Sequence, residues 1–308
     1  DRWHSFLWIR KMKKYFLLLV ISIICFSCNQ TPEKIHEKPI TDGIAIFEVY
    51  LEDSLAVNNL SNILRDTLKL PVEWEPFDIF GNEVVYDAAF YLGNTTLELL
   101  SVNPPIEGIK TPGKYNRLLF HSNNIDSSYS AITAKGFSSK PPFDFNIVSD
   151  GAELSIGKQI NLDSLSKKSN VNVSLWQYLN PGYHFKERFI KENSKEELLM
   201  KLDSEFKANP MGIIELKEIH LKVTKEVLNN WRLLMGPDTD HKWFLSNGPI
   251  VSFEISNENI GVDWITIGVQ NLDKAKEFLS SVELLAIRNN RVTVSQQKVY
   301  GLKIYVEE

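Results

Sequence analysis

Cysteine is nearly missing: the 308 residues contain two, Cys25 and Cys28, both close to the amino terminus. The chain beyond Cys28 therefore cannot form an internal disulfide, and its stability must come from buried apolar surface. The roughly 280 residues that follow are enough for two cores of ordinary size. An apolar stretch of membrane-spanning length is also missing near the start. Tyr15 to Phe26 is uncharged but only 12 residues long, and a spanning helix needs about 20. There is no Gly-rich phosphate loop, no His-Glu-x-x-His helix and no Gly-x-Ser-x-Gly elbow. Basic charge is short as well. The net charge is −5, and without residues 1–27 there remain 29 basic and 38 acidic side chains, a net of −9. So acidic a chain excludes phosphate-backbone binding to nucleic acid and offers no polybasic membrane patch.

What is present begins with a segment that reads as targeting sequence rather than fold. Arg10, Lys11, Lys13 and Lys14 precede the uncharged run, and Ser27-Cys28-Asn29-Gln30 follows it. This arrangement resembles a bacterial lipoprotein signal, in which the cysteine becomes the lipidated first residue of the mature chain. Cys25 and Phe26 stand where that pattern usually has Leu and a small residue. An ordinary secretory signal, or an anchor left uncleaved, would use the same residues. Met12 is the expected start, with Asp1 to Lys11 as upstream read-through. Residues 1–28 are thus assigned to read-through and signal. Residues 29–42, polar and carrying Pro32 and Pro39, are assigned to a tether.

Four similar modules follow. Alternating apolar strands open them at Ile44–Leu51, Arg117–Ser122, Glu218–Val223 and Trp264–Val269. Asp53, Asn124, Thr224 or Lys225, and Asn271 come next as helix caps. Apolar stripes then mark helices, for example Leu60, Ile63, Leu64 and Leu68, with Gly136 and Gly236 stopping the second and third. Strand-like runs close each module, and Asn289-Asn290 reads as a hairpin turn. Ser194 and Glu197 form a capping box before Leu198, Leu199, Leu202 and Phe206, which marks a connecting helix. The expected fold is α+β: four βαβββ modules paired into two cupped mixed-sheet domains, residues 43–182 and 211–308, with a linker helix within 183–210.

Paired βαβββ modules resemble the vicinal oxygen chelate superfamily of glyoxalases, extradiol dioxygenases and bleomycin-resistance proteins. Tyr91-Leu-Gly-Asn-Thr-Thr-Leu-Glu-Leu-Leu100 looks like its closing strand, and Trp264-Ile-Thr-Ile-Gly-Val-Gln-Asn-Leu-Asp-Lys-Ala275 like its opening one. The resemblance implies metal ligands on the first and last strands, usually His and Glu. The opening His falls seven residues before the cap, at Ile46, Arg117, Glu218 (counting from Lys225) and Trp264, and none of these is His. Glu98 matches the closing Glu, Gln177 stands at its place in module two, and Glu254 and Tyr305 match more loosely.

Strand parity sorts the faces. Ala45, Phe47, Val49 and Leu51 are expected against the helix, which leaves Ile44, Ile46, Glu48 and Tyr50 toward the cavity. Likewise Arg117 and His121, Glu218 and His220, and Trp264 are expected on cavity faces. The first half then lacks the usual metal site, because a guanidinium stays protonated and cannot ligate. It offers instead a polar pocket of Glu48, Glu98, Arg117, His121 and Gln177. There Arg117 either pairs with Glu98 or clamps a carboxylate or phosphate ligand. In the second half Glu218, His220 and Glu254 are either a divalent-metal set or a solvated sheet face. Trp176 and Trp264 are candidates to line a pocket. Asp238, Asp240 and His241 form either a cation-contacting loop or a solvated turn.

These readings point to an exported glyoxalase-like lipoprotein. It would be held by lipid on Cys28 in the periplasm or at the outer membrane, binding a small organic ligand without the metal triad. No cofactor is expected under this reading. A metal-dependent lyase or dioxygenase with displaced ligands, and a non-catalytic interaction lipoprotein, remain as alternatives.

Overall fold

The computed structural model describes residues 40–41, 43–79, 84–103, 114–149, 152–179 and 195–308. The signal segment, Cys28, Ser194 of the capping box and most of the tether lie outside the described residues. Among the described residues no helix is long and apolar enough to cross a membrane.

The fold is mixed α+β, built on two curled mixed sheets. The first contains β1 (Ile44–Leu51), β2 (Val72–Asp78), β3 (Val85–Tyr91), β4 (Thr96–Val102), β5 (Lys114–His121), β6 (Phe143–Ser149), β7 (Ala152–Asn161) and β8 (Asn172–Tyr178). Its order is β2-β3-β4-β1-β5-β8-β7-β6. Each module closes on itself through a parallel pair, β1 with β4 and β5 with β8. The two modules join through the antiparallel pair β1–β5. The second sheet repeats the plan with β9 (Ile213–Val223), β10 (Lys242–Phe244), β11 (Ile250–Ile255), β12 (Gly261–Val269), β13 (Leu285–Arg288), β14 (Arg291–Val294) and β15 (Ile304–Glu307). Its order is β10-β11-β9-β12-β15-β14-β13. Module three closes with two strands, β10 and β11, one fewer than its siblings.

The helices are α1 (Ser54–Asn62, continued by a π turn to Thr67), α2 (Ile125–Ala134), α3 (Asp163–Ser169), α4 (Lys195–Lys207), α5 (Lys225–Met235) and α6 (Leu272–Ser281). The module helices start where a side-chain oxygen can take a free N–H. Asp53 accepts from Ala56 N at 2.7 Å, Asn124 from Ser127 N at 2.9 Å and Asn271 from Lys274 N at 2.8 Å. Thr224, not Lys225, caps α5. Gly136 and Gly236 follow α2 and α5 at φ +83° and +84°. Asn289 and Asn290, at φ +50° and +61°, turn β13 into β14, as the primed hairpin turn requires. Helix α3 was not anticipated: seven mainly polar residues with one buried leucine, Leu165, carry little periodic signal.

The helix-bearing sides of both sheets feed one continuous apolar core. Phe47, Val49, Leu118 and Phe120 meet Trp231 and Phe253 there, and the Phe120 and Trp231 rings are 6.0 Å apart. Main-chain and side-chain hydrogen bonds tie the halves together. Leu216 N donates to Leu92 O at 2.9 Å, and Asn209 Nδ2 reaches Leu68 O and Lys69 O, each at 2.9 Å. The opposite face of the first sheet carries two small separate clusters, one around Tyr50 and one around Ile46, Leu119 and Trp176. Parity therefore holds along most of β1. A register shift between Ile44 and Ile46 exchanges the first two residues, so that Ile44 joins the helix-side core and Ala45 packs on the other face.

Candidate ligand site on the first sheet

The concave face of the first sheet centres on β1 and β5. Their register sets Glu48 opposite Arg117. Glu48 is only 2% exposed, so its charge must be met within the protein. Arg117 Nη1 lies 3.3 Å from Glu48 Oε1, and Asn116 Nδ2 donates to Oε2 at 3.1 Å. Asn172 Nδ2 donates in turn to Asn116 Oδ1 at 3.2 Å. Asn116 reaches Glu48 because the register shifts there, and Tyr115 returns to the core to stack on Phe47 at 4.8 Å. Of the two roles expected for Arg117, pairing is the one seen, but its partner is Glu48 rather than Glu98.

Glu98 stands beside Glu48 on β4. On β3, Ala89 is opposite Glu98 and Asp87 is opposite Leu100. Asp87 is therefore the diagonal neighbour of Glu98 on the same face. It is 3% exposed and accepts from Trp74 Nε1 at 3.0 Å, while its other oxygen, Oδ1, is buried and meets no placed donor. Two carboxylates can bond only through a proton, and burial supplies the reason to keep one. Burial, with the charge of Glu48 adding to it, pushes the Asp87 carboxyl up to about 7. Burial, then the charges of Asp87 and Glu48, pushes Glu98 well above the usual carboxylate range. Burial thus favours the protonated form of both groups. Asp87 was not a sequence candidate. The one local sign of it was an acid inside the apolar strand Val-Tyr-Asp-Ala-Ala-Phe-Tyr.

Gln177 does not join this group. Its neighbour Leu175 is in the helix-side core, and Trp176 packs on the concave face with Ile46 and Leu119. Gln177 therefore points the other way, and its Oε1 accepts from Ile125 N at 2.8 Å at the start of α2. The expectation of Gln177 in the pocket is corrected to a helix-capping role. Trp176 takes its place, at edge-on ring distances of 5.6 Å from Phe145 and 5.5 Å from Tyr178.

An open cleft of about 690 Å³ lies at one end of this face. Glu73 and Trp74 of β2, the β3–β4 turn, His121, Tyr178, and Leu198 and Leu202 of α4 line it. Thr96 Oγ1 donates to Glu73 Oε1 at 2.8 Å. Trp74 joins cleft and acid pair, since it lines the one and donates to the other. Tyr178 lies in the field of both Glu73 and Glu98, and burial, with those charges adding, drives its hydroxyl far above the ordinary phenol range.

The second sheet is different. At the cross-strand position matching Glu48–Arg117, β9 and β12 set His220 opposite Trp264. The two rings stack at 4.2 Å and 9°. Arg291 lies over Trp264 at 4.6 Å and over Tyr305 at 3.8 Å, and its Nη2 is 2.7 Å from Glu307 Oε1. His220 Nδ1 is bonded to Ser252 Oγ at 2.8 Å, and burial lowers its pKa despite the nearby acids. Glu254 is exposed and pairs with Lys222 at 3.3 Å, with His220 Nε2 at 3.6 Å. Among the described residues no group of three His, Cys, Asp or Glu is placed to hold a metal ion. Glu218, His220 and Glu254 do share one face, but stacking on Trp264 holds His220 and the Lys222 pair holds Glu254. Asp238 spends both oxygens on Arg232, at 2.7 and 3.1 Å, and also meets His241, so that loop is an ion-paired turn.

No protein-family model matches the sequence, and no curated protein matches it either. Solved structures do. A hypothetical protein from Staphylococcus aureus is 12% identical with a TM-score of 0.51, over 86% of this chain and 98% of that one. The 2,3-dioxygenase LapB from Pseudomonas sp. KL28 is 11% identical with a TM-score of 0.52, over 87% and 92%. An extradiol ring-cleaving dioxygenase from B. fuscum is 10% identical with a TM-score of 0.51, over 89% and 74%. This is the vicinal oxygen chelate fold. At such identities the likeness is one of fold alone.

The metal that this fold brings to mind does not fit the first sheet. A guanidinium stands where the opening ligand would be, and its positive charge opposes a divalent cation. The closing Glu98 lies beside Asp87 in a setting that raises its pKa, which disfavours the deprotonated form that a carboxylate ligand needs.

Proposed function

We propose that this chain is an exported lipoprotein that binds a small organic ligand on the concave side of its first sheet, without a metal triad. One observation carries the reading: the 690 Å³ cleft shares Trp74 with the buried Asp87 carboxyl, to which its indole N–H donates. Clefts of roughly 300–1,000 Å³ lined by aromatic side chains and a few polar groups are the usual form of small-molecule sites. The second sheet is a poorer candidate, because its own His220, Trp264, Arg291 and Tyr305 fill the corresponding position.

The anchor rests on sequence. A basic cluster, a 12-residue uncharged run and Ser27-Cys28 support lipid attachment at Cys28 and a place in the periplasm or at the outer membrane. Incorporation of labelled palmitate by the full chain, lost in Cys28→Ser, tests this. Retention of label by the variant would refute it.

Binding is tested by exposing the purified full chain to a mixture of small metabolites and identifying by mass spectrometry what it retains. Leu198→Trp, at a half-buried residue of the lining, puts an indole in the cleft and should abolish retention. Retention unchanged by Leu198→Trp would move the site elsewhere.

A further inference from the structure

Helix α4 stands over one end of the first sheet. Its Leu202 and Phe206 are buried, and Leu198, one turn earlier, lines the cleft. Successive helix residues turn by about 100°, so these three share the inner side and Met200 falls on the opposite one. The outward side of a surface helix is normally polar, yet Met200 is 65% exposed. Leu199 beside it lines the cleft and is itself 39% exposed. A lone apolar side chain on a surface needs no explanation. Here two adjoin, and one of them edges a cleft.

The root of the tether lies on the same cleft, with Gly43 and Ile44 in its wall. Thr41, which is buried, pins that root. Its Oγ1 lies 2.8 Å from His121 O and 2.9 Å from Gly43 O, and His121 N donates to Gly43 O at 2.9 Å. Thr41 comes 13 residues after Cys28, a stretch that spans at most about 45 Å. A lipid on Cys28 would keep a bilayer within that distance of Thr41. Even one myristoyl chain binds a membrane only marginally, so two apolar side chains would not hold the protein there unaided. Through so short a link their contact becomes intramolecular, at an effective concentration of about millimolar. The contact has to be apolar, because a net charge of −9 beyond residue 27 gives anionic lipid nothing to attract.

We infer that the mouth of the cleft rests on a lipid bilayer, with Leu199 and Met200 entering its surface. This rests on the lipoprotein reading above and deepens it by naming the surface onto which the cleft opens.

Methionine methyl NMR of the lipidated chain in phosphatidylcholine nanodiscs tests it. Adding nitroxide-bearing lipid to the disc should erase the Met200 methyl resonance. Ile287→Met supplies an exposed reference on the second sheet, where Ile287 is 61% exposed, and its methyl resonance should persist. Leu199→Asp should detach the rim and restore the Met200 resonance while the chain stays on the disc. Met211 and Met235 are buried, and their unshifted resonances in that variant report an intact fold. A Met200 resonance as persistent as the reference, on a chain that co-migrates with the disc, would overturn the contact and leave the lipid anchor standing. A chain that does not co-migrate with the disc would overturn both.

Discussion

Asp87 and Glu98 sit diagonally on neighbouring antiparallel strands of the first sheet, and burial raises both carboxyls above the usual carboxylate range.

Asp87→Asn should change how stability depends on pH. A carboxyl raised to about 7 in the fold, against roughly 4 in the unfolded chain, binds more protons when folded across that window. Its contribution therefore weakens as pH rises from about 4 to 7 and stays unfavourable above. Asparagine can accept from Trp74 and donate to Glu98 without titrating. The variant should melt higher than wild type at pH 8, by at least about 2 °C, the shift that roughly 1 kcal/mol gives a domain of this size. The difference should shrink toward pH 5. Comparing variant with wild type also cancels His220, whose lowered pKa acts in the opposite direction below its ordinary value. Thermal unfolding between pH 5 and 8.5 measures this, and equal melting curves would contradict the raised Asp87 carboxyl.

Arg117→Ala should destabilise without emptying the cleft. Glu48 would stay buried with only Asn116 to meet it. Removing one partner of a fully buried pair costs about 3–5 kcal/mol. Arg117 is a quarter exposed, so a loss of about 2 kcal/mol is expected after discounting for solvent screening. Denaturant titration reads the loss, and the retained ligand should be the same as for wild type. Loss of ligand with stability intact would revive the clamp role for Arg117.

Trp264→Ala should behave as a packing change. It removes the ring that His220 and Arg291 both face. Truncating a buried aromatic costs about 3–5 kcal/mol, and this one is partly exposed, so about 2 kcal/mol is expected. Ligand retention by the first sheet should not alter, and its loss would place the site on the second sheet instead.

Local chemistry made much of this legible in the sequence. Asp53, Asn124 and Asn271 are short acceptors just ahead of amphipathic stripes, and each caps the helix it precedes. Alternation in the middle of β1 and β5 separates Phe47 and Leu118 from Glu48 and Arg117. What stayed hidden depends on register between strands far apart in sequence. Asp87 becomes a partner of Glu98 only through the β3–β4 pairing. Gln177 was assigned by its place in a motif, and a shift of one residue reverses a strand's faces, so Trp176 holds the concave position instead. The bulge that turns Asn116 toward Glu48 leaves no mark in the composition of β5. Unpaired Asn94 Oδ1 and Thr95 Oγ1 likewise appear only once the β3–β4 turn meets β9.

The most direct test is the indole N–H spectrum of the full chain, titrated with the compound it retains most strongly. The Trp74 resonance, from an N–H that donates to Asp87 at the cleft wall, should move with saturation while that of Trp264 stays fixed. Movement of Trp264 with Trp74 unchanged would contradict a ligand site on the first sheet.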